Sequence, residues 1–162
     1  MNHTNLACAL LLLFTPGVLQ AQQNCLVDSV TDGDTLRCGG SPIRLLLIDT
    51  PEMDQDPWGK IAKEALESLA PPGTRLHIEH DLELRDRYNR ELAYLYLDDG
   101  RLVNEELLRM GVALLSIYPP NIKYVDRFRA IQEEAVRRQT GLWAFDAFSC
   151  TPANHRAGKC EP

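Results

Sequence analysis

Two turn signals, Asp32-Gly33 and Gly39-Gly40-Ser41-Pro42, cut the chain between Cys25 and Ile48 into three short segments, CLVDSV, TLRC and IRLLLI. Gly and Pro at such spacings end strands and open tight turns, so these segments read as a meander of strands over 25–30, 35–38 and 43–48. A helix follows over 58–69, where Ile61, Ala62, Ala65, Leu66 and Leu69 share one face and Pro71-Pro72-Gly73 stops the run. Residues 75–80 and 91–97 alternate as two further strands. His77 and His80 fall on opposite faces of the first of these, which makes them poor partners in a metal site. A short helix is expected over 102–110, capped by Gly111, then a strand-like VALLSIY, then a helix from Asn121 to about Thr140-Gly141 with Ile122, Val125, Phe128, Ile131 and Ala135 on its stripe. Beyond Trp143 no period is legible. Five short strands broken by a helix, with more helices toward the C-terminus, point to an α+β chain built on a small five-stranded barrel of the OB type with three helices; a sandwich topology stays open.

With 162 residues the chain suits one domain. LACALLLLF, over 6–14, is an apolar run followed by Pro16-Gly17 and, at 21, a small alanine. That is the form of an export signal over 1–21, and the run is too short for a spanning helix of about 20 apolar residues. The expected organisation is therefore a leader over 1–21, an OB-type barrel domain over 22–144 and a tail over 145–162, in a secreted or periplasmic protein free of the membrane once the leader is removed. Of 5 cysteines, Cys8 belongs to the leader, which leaves Cys25, Cys38, Cys150 and Cys160. An even set suits an oxidising compartment and allows three pairings. Cys25 with Cys38 is favoured because Asp32-Gly33 lies midway between them, and Cys150 with Cys160 would then pin the tail. No Cys-x-x-Cys pair speaks for zinc.

The formal net charge is -6, the wrong sign for a passive nucleic-acid binder. Any reaction on a polyanion must rest on a local positive site or a bound cation. Asp34 follows the Asp32-Gly33 turn, where a carboxylate adds little to turn formation. Asp49 stands where the strand over 43–48 returns toward that turn. Two carboxylates, a backbone carbonyl and water suit a hard cation such as Ca²⁺, although an EF-hand loop is ruled out by Leu36 at a ligand position. On these residues alone, an Asp-Thr-Pro turn that only caps a loop stays open. Pro51 restricts Thr50 to extended backbone and sets the direction of Glu52. Arg44 heads the most apolar strand, where a fixed charge needs a partner, and its planar fork matches phosphate; with Arg90 it would form a clamp.

The segments VTDGDTL, IRLLLIDTPE, DRYNRELAYLYLDDGRLVNEELLRMGVA, YPPN and GLW resemble the thermonuclease family, of which staphylococcal nuclease is the best-known member. The resemblance runs from Cys25 to Trp143. It implies the OB-type barrel and a calcium-dependent phosphodiesterase acting on DNA and RNA. By motif, Asp34, Asp49 and the Thr50 carbonyl resemble its calcium ligands, Glu52 the carboxylate that activates or orients water, and Arg44 and Arg90 the phosphate-binding pair. Tyr88 and Tyr118 resemble nucleotide-contacting tyrosines. Ser116 stands where another tyrosine is familiar, and Asp54 and Asp56 where lysines are, so weaker and more salt-tolerant substrate binding is expected from a monomeric enzyme. The group that protonates the leaving oxygen is left open. Two rivals remain at this point: a non-catalytic OB-type module for oligonucleotides, and a protein whose Asp34 and Asp49 hold a structural calcium.

Overall fold

The computed structural model describes residues 23–160, so the leader expected over 1–21 lies outside the described residues. The strands are β1 (Gln23–Val30), β2 (Thr35–Cys38), β3 (Ser41–Leu45), β4 (Ile48–Asp49), β5 (Arg75–Glu79), β6 (Glu91–Leu97) and β7 (Leu114–Leu115). Five of them close a barrel in the order β1, β2, β3, β6, β5, and β5 pairs back onto β1. The β3–β6 pairing is parallel and the others are antiparallel. Three longer helices surround it, α1 (Trp58–Leu69), α2 (Val103–Arg109) and α3 (Val125–Arg137), and the tail adds a five-residue α4 (Pro152–Arg156). This is the α+β, OB-type barrel expected from the sequence. No helix of the described residues is long and apolar enough to cross a membrane.

Alternation explains which side chains fill the barrel. Leu36, Ile43, Leu76 and Leu95 are fully buried, and successive strand residues face opposite ways. In β6 both faces are covered. Ala93, Leu95 and Leu97 share one side, while Tyr94 turns its ring edge to Tyr124 and Phe128, at 4.7 and 6.2 Å between centroids. The α3 helix therefore closes the outer face of β6. Cys25 bonds Cys38 across β1 and β2, and Cys150 bonds Cys160 in the tail, each with Cα atoms 5.6 Å apart. These are the favoured pairings.

Three expected elements differ in extent. The strand over 43–48 breaks: β3 ends at Leu45, Leu47 takes φ 62°, and the chain turns into β4, which pairs with β7. Both Leu46 and Leu47 are buried, so no polar residue announces the turn. The strand-like VALLSIY shrinks to two paired residues because its partner β4 is two residues long. The last helix starts at Val125 rather than Asn121. Asn121 is committed elsewhere, its side chain accepting from Glu83 N at 2.7 Å and donating to Glu83 O at 2.8 Å. Ile122 is consequently exposed rather than on the helix stripe.

A leucine at positive φ is strained and persists only where its surroundings hold it. Here the holding group is Asn104 of α2, which has no exposed surface. Its Nδ2 donates to Leu46 O at 2.9 Å and to Ala93 O at 3.3 Å, and its Oδ1 accepts from Leu95 N at 3.1 Å. One amide thus ties the Leu46–Leu47 turn to β6 and α2. Replacing Asn104→Ala strands these buried polar groups, and a lost partner of this kind costs about 1–3 kcal/mol per group. Urea unfolding of the variant is expected to show a stability loss of about 3 kcal/mol, at the scale of that penalty, with an unchanged denaturant slope.

Candidate active site

The register of β2 against β3 places Thr35 opposite Arg44, and Leu45 N donates to Asp34 O at 2.9 Å. Asp34 and Arg44 are therefore neighbours at the end of the hairpin. The Leu46–Leu47 turn then swings Asp49 back to the same place. Arg44 Nη2 lies 3.0 Å from Asp34 Oδ2 and 3.1 Å from Asp49 Oδ1, and its Nη1 donates to Leu45 O at 2.7 Å. Thr50 closes the group by donating to Asp34 Oδ2 from its backbone N at 3.0 Å and its hydroxyl at 3.2 Å. Asp34, Asp49 and Thr50 are all buried. Burial pushes the Asp34 carboxyl up to about 6; Arg44 opposes the rise, while Asp32 and Asp49 add to it.

These residues line one open cavity of about 680 Å³ that also takes in Glu52, Tyr88, Arg90, Ser116 and Tyr118. Every candidate metal-ligating, phosphate-binding and nucleotide-contacting residue lines it, while Asp54 and Asp56 do not, and not all are brought into contact. Arg90 is engaged by Asp86, whose Oδ2 accepts from Arg90 Nε at 2.7 Å and whose Oδ1 accepts from its backbone N. Tyr88 and Tyr118 stand exposed at the rim, and the Arg87 guanidinium lies 4.8 Å over the Tyr88 ring. Ser116 contributes its backbone N, which donates to Leu47 O at 2.9 Å.

Glu52 is set by a residue the sequence reading passed over. Gln55 accepts from Glu52 N at 2.9 Å and donates to Cys150 O at 3.1 Å, joining the carboxylate's loop to the tail. The larger omission is Arg156. It comes from α4, where no period was legible, and its fork meets Asp49 with both arms: Nη2 to Oδ2 at 2.8 Å and Nη1 to Oδ1 at 3.1 Å. The same Nη1 donates to Glu52 Oε1 at 2.5 Å. Its side-chain bond to Asp49 raises the Arg156 pKa further, so it stays charged. The only signal in the sequence was a His-Arg pair inside a loop bounded by two cysteines. Asp54, expected only to lower the site's affinity for polyanions, receives His155 Nε2 at 2.9 Å and so anchors the tail.

The family described as staphylococcal nuclease homologue matches residues 42–145. A thermonuclease of Staphylococcus intermedius is 34% identical over 130 residues, covering 75% of this chain and 76% of that protein. The chain belongs to the staphylococcal nuclease homologue family. It is also 36% identical to endonuclease YncB and 35% identical to the prophage-derived endonuclease YokF, both of Bacillus subtilis (strain 168). The match spans 62% and 44% of the lengths of those two proteins. The match to the family ends at residue 145, so Arg156 lies beyond it.

The chemistry of this cavity fits a cation. Six carboxylates and four guanidiniums line it, an excess of two negative charges. The donors at its floor are oxygens only, as a hard divalent ion requires. Their placement depends on Gly33, since a Cβ there would lie 2.6 Å from Ala62 Cβ and 2.6 Å from Thr50 Oγ1. The Asp32–Asp34 turn therefore sits directly on α1. Gly33→Ala is expected to lower stability by about 1–3 kcal/mol, the usual scale of overpacking. Adding Ala62→Gly should restore part of that loss, so unfolding of the two single variants and the double variant would show strong non-additivity.

Proposed function

We propose that this protein is an exported, calcium-dependent nuclease that hydrolyses phosphodiester bonds in DNA or RNA. The observation that carries the reading is the convergence of Asp34 and Asp49 on Arg44, with Glu52 in the same cavity, in a member of a nuclease family. The relatives YncB and YokF are endonucleases, which favours an endonuclease in particular. In this reading Asp34, Asp49 and the Thr50 carbonyl hold calcium. A calcium ion bound there would supply Lewis-acid and template chemistry at a phosphoryl oxygen.

The chain's own groups divide the remaining work. Glu52 accepts the proton of the attacking water, for which a carboxylate must be ionised. Arg44 and Arg90 donate to phosphate oxygens, where fixed donors stabilise developing negative charge. A guanidinium is a poor proton donor, so the proton for the leaving oxygen comes from another source. Tyr88 and Tyr118 offer exposed rings on which bases stack, each worth about 1–3 kcal/mol where stacking occurs. Export is supported by the leader over 1–21 and the two disulfides, with the nuclease domain taken as 22–144, the tail as 145–162 and the protein as a monomer in a periplasm or outside the cell.

The test is hydrolysis of single-stranded DNA and of RNA by the purified protein, with calcium and then with a calcium chelator. Chelation is expected to abolish the rate and restored calcium to return it. Glu52→Gln is expected to lower kcat by about 10²- to 10⁴-fold, the range contributed by a positioned general base. A rate indifferent to both changes would leave an oligonucleotide-binding module or a structural calcium protein in its place.

A further inference from the structure

We propose that Arg156 is a tethered internal cation that occupies the carboxylate site in the ion-free protein, and that a divalent ion must displace it from Asp49 and Glu52. This rests on the calcium reading of the site. Both carboxylate oxygens of Asp49 and one of Glu52 are engaged by the Arg156 fork, and Asp49 Oδ1 is also shared with Arg44. Asp49 is 4% exposed, so no unpaired oxygen of it faces solvent to receive an ion from another side. Calcium ligates oxygen at about 2.3–2.6 Å. An ion that close to Asp49 would sit against the guanidinium, and two cations cannot share the same lone pairs without strong repulsion.

The tail is built so that Arg156 can leave and return. Its side chain is 42% exposed and stands on a helix only five residues long. Cys150–Cys160, the Gln55–Cys150 bond and the His155–Asp54 pair hold that helix beside the cavity. A short tether of this kind keeps a group at high effective concentration. Arg156 therefore competes with the ion continuously, and the docked fraction sets how much ion is needed. The apparent dissociation constant rises by the reciprocal of the undocked fraction, so nine-tenths docking weakens ion binding about tenfold.

Calorimetric titration of calcium into the purified protein tests this without reference to catalysis. Four proteins are compared: the unaltered chain, Arg156→Gln, the paired variant Cys150→Ser with Cys160→Ser, and Asp49→Asn. Arg156→Gln is expected to bind calcium about tenfold tighter, the paired cysteine variant to shift in the same direction by less, and Asp49→Asn to lose binding. Thermal unfolding gives a second readout. Arg156→Gln should unfold at a lower temperature than the unaltered chain without calcium and gain more on calcium addition. Equal or weaker binding by both Arg156→Gln and the cysteine variant, with Asp49→Asn still abolishing it, overturns the role of Arg156 and leaves the calcium site standing. Absence of calcium binding in the unaltered chain and in Arg156→Gln alike removes both.

Discussion

The guanidinium of Arg44, set between Asp34 and Asp49, is the contact on which the cavity end of the barrel depends. Two carboxylates brought together in a buried place repel each other and lose hydration, and each such burial costs several kcal/mol unless it is compensated. Arg44 offsets part of this for both at once, from a strand that cannot shift without slipping its register. Without that charge the turn at Leu46–Leu47 would close two anions onto one another. The fold can therefore gather acidic oxygens at a single point.

The regular part of this architecture was legible because it follows period and turn chemistry. Helix α1 begins and ends where the Trp58 to Leu69 pattern places it, and the β1–β2 hairpin turns at Asp32-Gly33. The break after Leu45 was not legible. It is made by two leucines that look like the centre of a strand, and by an asparagine 58 residues away in sequence that satisfies the freed carbonyl. Long-range satisfaction of a backbone group leaves no local mark. The start of α3 was misjudged for the same reason, since Asn121 is spent on the backbone of Glu83.

The candidate site divides along the same line. Asp34, Arg44, Asp49 and Glu52 lie in short motifs, and all four line the same cavity. Arg90 lines the same cavity but is turned by Asp86, a partner four residues away that the RDRYNR run contains without advertising. Arg156 was illegible because its role arises from docking, and docking depends on Gln55, Asp54 and the tail disulfide together. The acidic net charge looks different once these residues are placed. Asp54 and Glu52 partner the tail's basic pair, so part of the negative charge that seemed to oppose a polyanion is consumed within the molecule.

Each covalent cross-link encloses charged members of the cavity: Asp32 and Asp34 lie within the loop closed by Cys25–Cys38, and Arg156 within the loop closed by Cys150–Cys160. A protease that nicks the backbone inside either ring leaves both ends attached to the same body. The severed hairpin keeps its two acidic residues on the barrel wall, and the severed tail keeps its basic one within reach. A cut inside either ring is thereby converted from loss of a fragment into a clip whose two ends stay joined, a form of durability that owes nothing to the packing of the core.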